Sequence, residues 1–211
     1  MRKNLLFAIA FAFYVLIAAS ASATVIDWTN WQNANHGTTA PVNITYAGPG
    51  WLVSNYPSYH PASTWADGTI VQDAPTIDQI IGLAGGNTTL NTITFSDPVK
   101  DPVMAIWSLG DAQASFVFSA SEPFTIVAGG PSAEYGGSSI TASGNTVYGE
   151  EGNGTILFNG TFSSLTWTNP QYEYWYGFDI GVPASVPEPS TFLLSGIGLL
   201  TAAFFLGKAI A

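Results

Sequence analysis

The sequence predicts an all-β fold, a jelly-roll-like antiparallel β-sandwich, over residues 24–183, with an apolar segment at each end of the chain. Three observations predict it. Short runs rich in Val, Ile, Thr, Phe, Tyr and Trp alternate in character and are bounded by Gly, Pro, Asp or Asn. Helical periodicity is nearly absent, so no helix is on hand to cross between parallel strands. The stretch from 24 to 183 holds 160 residues, enough for one domain with a substantial core.

The strands expected in order are 92–95, 103–109, 114–119, 124–128, 155–158, 162–167 and 174–180. Their faces follow from the period of two. Ala114, Phe116 and Phe118 point one way and Ser115, Val117 and Ser119 the other, while Tyr174, Tyr176, Phe178 and Ile180 oppose Trp175, Gly177 and Asp179. Trp107, Trp167 and Phe178 lie in clean alternation and are assigned to the core. Residues 74–83 are the one stretch that reads as a short helix or turn, because Pro75 suits a first turn and Ile77, Ile80 and Ile81 share a helical face.

The ends read as delivery signals. Arg2 and Lys3, an apolar run over 5–19 and the small-x-small box Ala21-Ser22-Ala23 make residues 1–23 a signal peptide. Cleavage after Ala23 starts the mature chain at Thr24 and implies the Sec translocon and signal peptidase as partners. Residues 184–190 form a Pro-rich polar linker. Residues 191–207 contain no charged residue before Lys208, and 17 helical residues span about 26 Å, close to the roughly 30 Å hydrocarbon core. Residues 191–211 are therefore expected as a transmembrane helix with a short basic tail.

Charge narrows the partners. Between Thr24 and Ser190 the only basic side chain is Lys100, facing all 14 acids, so that stretch carries 1 minus 14, or −13. Such a surface repels phosphate backbones, which excludes nucleic acid as a partner. The chain has no cysteine, so a disulfide framework, a thiolate metal site and a cysteine nucleophile are all ruled out. His36 and His60 are the only histidines.

At the C-terminus, Val186-Pro187-Glu188-Pro189-Ser190 precedes the apolar segment containing Gly196-Ile197-Gly198-Leu199-Leu200, and Lys208 follows. This tripartite order resembles the sorting signal of PEP-CTERM proteins. Pro187, Glu188 and Pro189 match the motif residue by residue, with Val186 before them. The resemblance implies recognition by an exosortase, an integral-membrane cysteine transpeptidase. It also implies a membrane-anchored precursor that loses its tail on the way to the cell surface or the extracellular polysaccharide matrix. The family usually ends in a cluster of arginines, whereas this chain has Lys208 and then Ala209-Ile210-Ala211. Residues 94–181 also resemble the bodies of small PEP-CTERM proteins, most of which have no assigned activity.

No catalytic constellation stands out in the body. No Gly-x-Ser-x-Gly elbow is present, and adjacent Glu150 and Glu151, flanked by glycines, read as a solvated hairpin turn rather than a glycosidase pair. A non-enzymatic protein with no cofactor is expected, the one metal candidate being a Ca²⁺ on Asp67, Asp73, Asp97, Asp101 or Asp111 in loop-like settings. Aromatics carry the functional expectation. Trp31, Trp51, Trp65, Tyr56 and Tyr59 sit beside Gly, Pro and Asn near the start of the mature chain. Flat rings stack on sugars while neighbouring amides bond hydroxyls, so these five are the candidate contacts for an exopolysaccharide. The alternatives are a purely structural matrix or envelope protein, in which the same rings fill a core, and a glycan-active hydrolase, which needs two converging carboxylates.

Overall fold

The computed structural model describes residues 23–56, 58–110 and 114–184. The residues before Ala23 that are expected as a signal peptide, Ala21 among them, and those from 185 onward, including Val186, Pro187, Glu188 and Pro189, lie outside the described residues, as does Asp111. Among the described residues no helix is long and apolar enough to cross a membrane.

The described chain is almost wholly strand. Its strands are β1 (Ile26–Trp28), β2 (Asn30–Asn33), β3 (His36–Thr39), β4 (Val42–Ala47), β5 (Trp51–Ser54), β6 (Gln79–Lys100), β7 (Val103–Leu109), β8 (Ser115–Phe118), β9 (Phe124–Gly129), β10 (Ser138–Ser139), β11 (Thr141–Ser143), β12 (Thr146–Tyr148), β13 (Gly152–Phe158) and β14 (Thr161–Pro183). One 3-10 turn, Ala62–Thr64, lies between β5 and β6. Every strand pair is antiparallel except the short β10–β13 contact, so the all-β, antiparallel expectation holds.

Two long strands organise the rest. β6 and β14 pair with each other along their length, with register breaks between Trp167 and Tyr176 where both strands turn. Gly85 and Gly86 have φ of +63° and +74° at this turn, and a Cβ on Gly85 would stand 2.4 Å from the carbonyl oxygen of Gln171. A glycine is required there on both counts. The far part of β6 and the near part of β14 pair with β4 and β8, and the meander of β2, β3 and β4 extends this layer. The near part of β6 and the far part of β14 pair with β5 and β7, which continue into β13 and β9. β14 thus folds back over itself. Trp167 and Phe178, from its two halves, meet edge to face at 5.0 Å.

Between the two layers lies the main core. Ile44, Tyr46, Ile93, Phe116, Phe118, Leu165 and Trp167 come from the first layer, and Ile81, Leu83, Met104, Ile106, Ile156, Phe158, Tyr176 and Phe178 from the second. Ring contacts cross the gap, Phe118 to Phe158 at 5.1 Å and Tyr46 to Phe178 at 5.4 Å. Each such pair adds about 0.5–1.5 kcal/mol beyond area burial. A buried polar chain pins the turn of the long strands. Tyr46 Oη donates to Asn91 Oδ1 at 2.6 Å, Asn91 Nδ2 to Asn169 Oδ1 at 3.0 Å, and Asn169 Nδ2 to the Ser115 carbonyl at 2.9 Å.

The second layer is buried on both faces. All seven residues of β7 are buried, as a central strand reading Val-Met-Ala-Ile-Trp-Ser-Leu requires. Its outer face carries a second core of Ile80, Val103, Ala105 and Trp107, covered by β1 and by Tyr59, Trp65, Val71 and Ala74 from the connection before β6. This corrects the helix expected over 74–83. Residues 79–83 are strand, and Ile80 and Ile81 enter opposite cores. A strand buried on both sides needs consecutive apolar residues, and such a run mimics a helical face.

Candidate functional site

Strand register places a row of four residues side by side across the outer face of the second layer. Trp51 of β5 lies opposite Gly82 of β6, Gly82 opposite Gly177 of β14, and Gly177 opposite Trp107 of β7. At about 4.8 Å between neighbouring strands the row is roughly 14 Å long. Side-chain parity puts it on the outer face, because the flanking residues Ile81 and Leu83 point into the main core. Gly82 lets a large ring lie against the sheet, whereas the outer side of Gly177 is covered by Ile80, whose Cδ1 would stand 2.5 Å from a Cβ there. A Cβ on Gly82 would come within 2.8–3.0 Å of three atoms of the Trp51 indole, so that ring rests directly on the Gly82 backbone. Its other side is open, and Trp51 is 39% exposed.

At the other end of the row four rings form one cluster. Trp107 meets Trp175 at 4.9 Å, Tyr135 at 5.2 Å and Tyr56 at 6.0 Å, all edge to face. Tyr56 also contacts Tyr135 and Trp175. Trp107 is fully buried, whereas Tyr56 and Tyr135 are 38% and 56% exposed. The buried rings therefore support exposed ones. Glu134 is anchored beside them. Its Oε1 accepts the Ser58 amide at 3.1 Å and the Ser58 hydroxyl, while its Oε2 and the Trp107 indole Nε1 are buried with no hydrogen-bond partner among the described residues. Desolvation, the Tyr135 hydroxyl and the Glu134 charge together raise the Tyr56 phenol pKa.

Of the five rings singled out in the sequence, Trp51 and Tyr56 are exposed and share this face, and the other three are buried. Trp31 is 2% exposed, lies in the main core, and donates from Nε1 to Asp179 Oδ1 at 2.8 Å. Trp65 is fully buried, packs edge to face on Tyr59 at 5.2 Å, and donates to the Ile106 carbonyl at 3.3 Å. Tyr59 is 3% exposed and donates to the Gln79 carbonyl at 2.7 Å. These three present no face to a sugar. Their Gly- and Pro-rich surroundings suggested a surface, but the connection between β5 and β6 is itself a covering layer that must bury its rings on the outer face of the second layer. Tyr135, Trp175 and the glycine pair escaped sequence reasoning. The adjacency of Glu134 and Tyr135 was the only local signal.

The carboxylates are largely occupied. Asp179 is buried, which pushes its carboxyl well above the usual range against the opposing effect of hydrogen bonds from Trp31 and the Ile180 amide. Burial also raises Asp67, but the Thr69 hydroxyl and the amides of Val71, Ile70 and Thr69 hold it down to about 2. Asp73 accepts the Ile26 amide at 3.0 Å, Asp101 the Gly160 amide at 2.9 Å, and Asp97 the Ser96 hydroxyl at 3.1 Å. Asp67, Asp73 and Asp78 line one open hollow of about 710 Å³ with His60. Among the described residues no group of three or more His, Asp or Glu could hold a metal ion. Glu151, at φ +55°, accepts the Ser108 hydroxyl at 2.6 Å.

The body and the tail carry separate information. β14 ends at Pro183, paired with Ile26, and the Ala184 amide donates to the Val25 carbonyl at 2.9 Å. The next residue begins the segment that identifies the chain. Neither a curated protein nor a solved structure matches the chain. Residues 185–208 match the PEP-CTERM protein-sorting motif. The chain therefore ends in a PEP-CTERM protein-sorting motif, the signal by which an exosortase sorts a membrane-anchored precursor to the cell surface.

Proposed function

We propose that the body is a non-catalytic module that holds extracellular polysaccharide through the outer face of its second layer. In this reading the Sec translocon exports the chain, signal peptidase cuts after Ala23, and the residue-191–211 helix retains the precursor until exosortase processing. The observation that carries the binding role is the pair of exposed ring sites at the ends of this row, Trp51 seated on Gly82 at one end and Tyr56 and Tyr135 at the other. A row of roughly 14 Å suits two or three sugar units, and rings held by packing lose little rotamer freedom on binding. The non-catalytic part is supported by the carboxylates, since Glu134 and Glu151 each hold a serine and Asp179 holds Trp31.

The test is co-sedimentation of the purified protein with matrix polysaccharide. Trp51→Ala and the double variant Tyr56→Ala/Tyr135→Ala should each weaken retention about tenfold, the effect of losing one interface hot spot of near 1.4–2 kcal/mol. Circular dichroism should show both variants folded. Folded variants with undiminished retention would remove the reading and leave a structural matrix protein without a ligand site.

A further inference from the structure

Resting on the polysaccharide-binding reading, we infer that the aromatic face selects a glycan bearing free amines, an amino-sugar polymer, over its neutral and acidic counterparts. Two observations lead there. The first is the carboxylate within the ring cluster. Glu134 precedes Tyr135 in the chain, is bound through one oxygen to Ser58, and keeps its other oxygen buried without a donor among the described residues, so its charge acts on the ring face through its field rather than by contact. The second is the lack of a nearby lysine or arginine among the described residues. Lys100, the only Lys or Arg between Thr24 and Ser190, ends β6 opposite Thr161, before β7 begins, whereas Trp107 lies toward the other end of β7; the histidine beside the Glu134 segment is His60, whose carbonyl accepts the Ala133 amide at 2.8 Å.

An ammonium seated on Tyr56 and Tyr135 would meet the negative faces of two rings and the field of an unneutralised carboxylate. Ring faces attract cations even at exposed sites. Acetylating the amine removes that term and leaves ordinary stacking. A uronate would instead meet Glu134 and a body carrying 1 minus 14 charges, or −13.

The experiment measures affinity of the purified protein for three soluble oligomers of equal length, β1,4-linked glucosamine, its N-acetylated form and a uronate, at neutral pH and low salt. Glucosamine should bind about tenfold tighter than the N-acetyl form, from the combined pull of two ring faces and the Glu134 field. Glu134→Gln keeps the oxygen that accepts from Ser58 and should reduce the preference to within about twofold. Equal affinity for the two forms, or tighter binding of the N-acetyl or uronate oligomer, overturns the inference and leaves the polysaccharide reading standing. Failure of all three to bind overturns both. Glucosamine binding that survives Glu134→Gln and Tyr56→Ala/Tyr135→Ala alike is diffuse attraction to an acidic surface and also overturns the inference.

Discussion

Trp65→Ala separates a tryptophan that builds the fold from one that faces a ligand. Trp65 is fully buried between the outer face of the second layer and Tyr59, and its indole donates to the Ile106 carbonyl. Truncation leaves a cavity under the covering connection and removes the ring contact with Tyr59. The hydrogen bond from Thr155 Oγ1 to the residue-65 carbonyl survives, because it uses the backbone. A Trp-to-Ala change at such a site costs about 3–5 kcal/mol. For a domain of this size each kcal/mol moves Tm by about 2–4 °C, so the midpoint should fall by about 6–20 °C. Trp51→Ala removes a ring that is 39% exposed, and its midpoint should fall by clearly less. Thermal unfolding followed by far-UV circular dichroism reads both variants. A shift under about 2 °C for Trp65→Ala, or a larger one for Trp51→Ala, would refute the assignment of these two rings.

Two further changes probe the same architecture. Gly82→Ala places a Cβ within 2.8–3.0 Å of the Trp51 indole. The ring must swing outward into solvent, so stability should fall by only about 1 kcal/mol while polysaccharide retention drops to the level of Trp51→Ala; full retention would show that the ring's seat on the glycine is irrelevant. Asp179→Asn tests the buried carboxyl. Its folded-state pKa is raised by burial, so the native state binds the proton more tightly than the unfolded chain, whose aspartates titrate near about 3.9. The associated stability is complete below that value and is lost as pH rises toward the raised one. Asn keeps the acceptor for Trp31 without the charge. The variant should therefore be more stable than wild type at neutral pH, with an advantage that shrinks on acidification to about pH 4. An advantage that is constant or grows toward acid would contradict the burial argument.

How much was legible in the sequence differs between the elements. The run 103–109 reads as a strand with Trp107 in the core, and β7 is that strand, buried along its whole length. The alternation over 174–180 separates Tyr176, Phe178 and Ile180, which enter the main core, from Trp175, which packs on the second, whereas Tyr174, expected with the first three, is 81% exposed. Expected strands at 92–95 and 162–167 proved to be pieces of β6 and β14, each more than 20 residues long. Their polar middles around Asn87 and Asn169 look like loops locally, yet they continue as strand where the two chains turn together. The strands between Thr24 and Ser54 were not separated in the sequence, because they are short and only partly buried.

What the sequence determined by itself is what depends on local pattern: the all-β class from the period of two, the absence of thiols from composition, and the sorting motif from contiguous residues. Tertiary structure alone decided which rings face solvent. Trp31, Trp51 and Trp65 have similar neighbours in the chain, but their exposures are 2%, 39% and 0%. The difference comes from pairings between distant segments. Gly82 brings Trp51 to the surface of a finished layer, Asp179 receives Trp31 inside the fold, and the covering connection folds Trp65 onto β7. Burial is a property of what a residue packs against, and those partners are set by strand register across scores of residues rather than by adjacent ones.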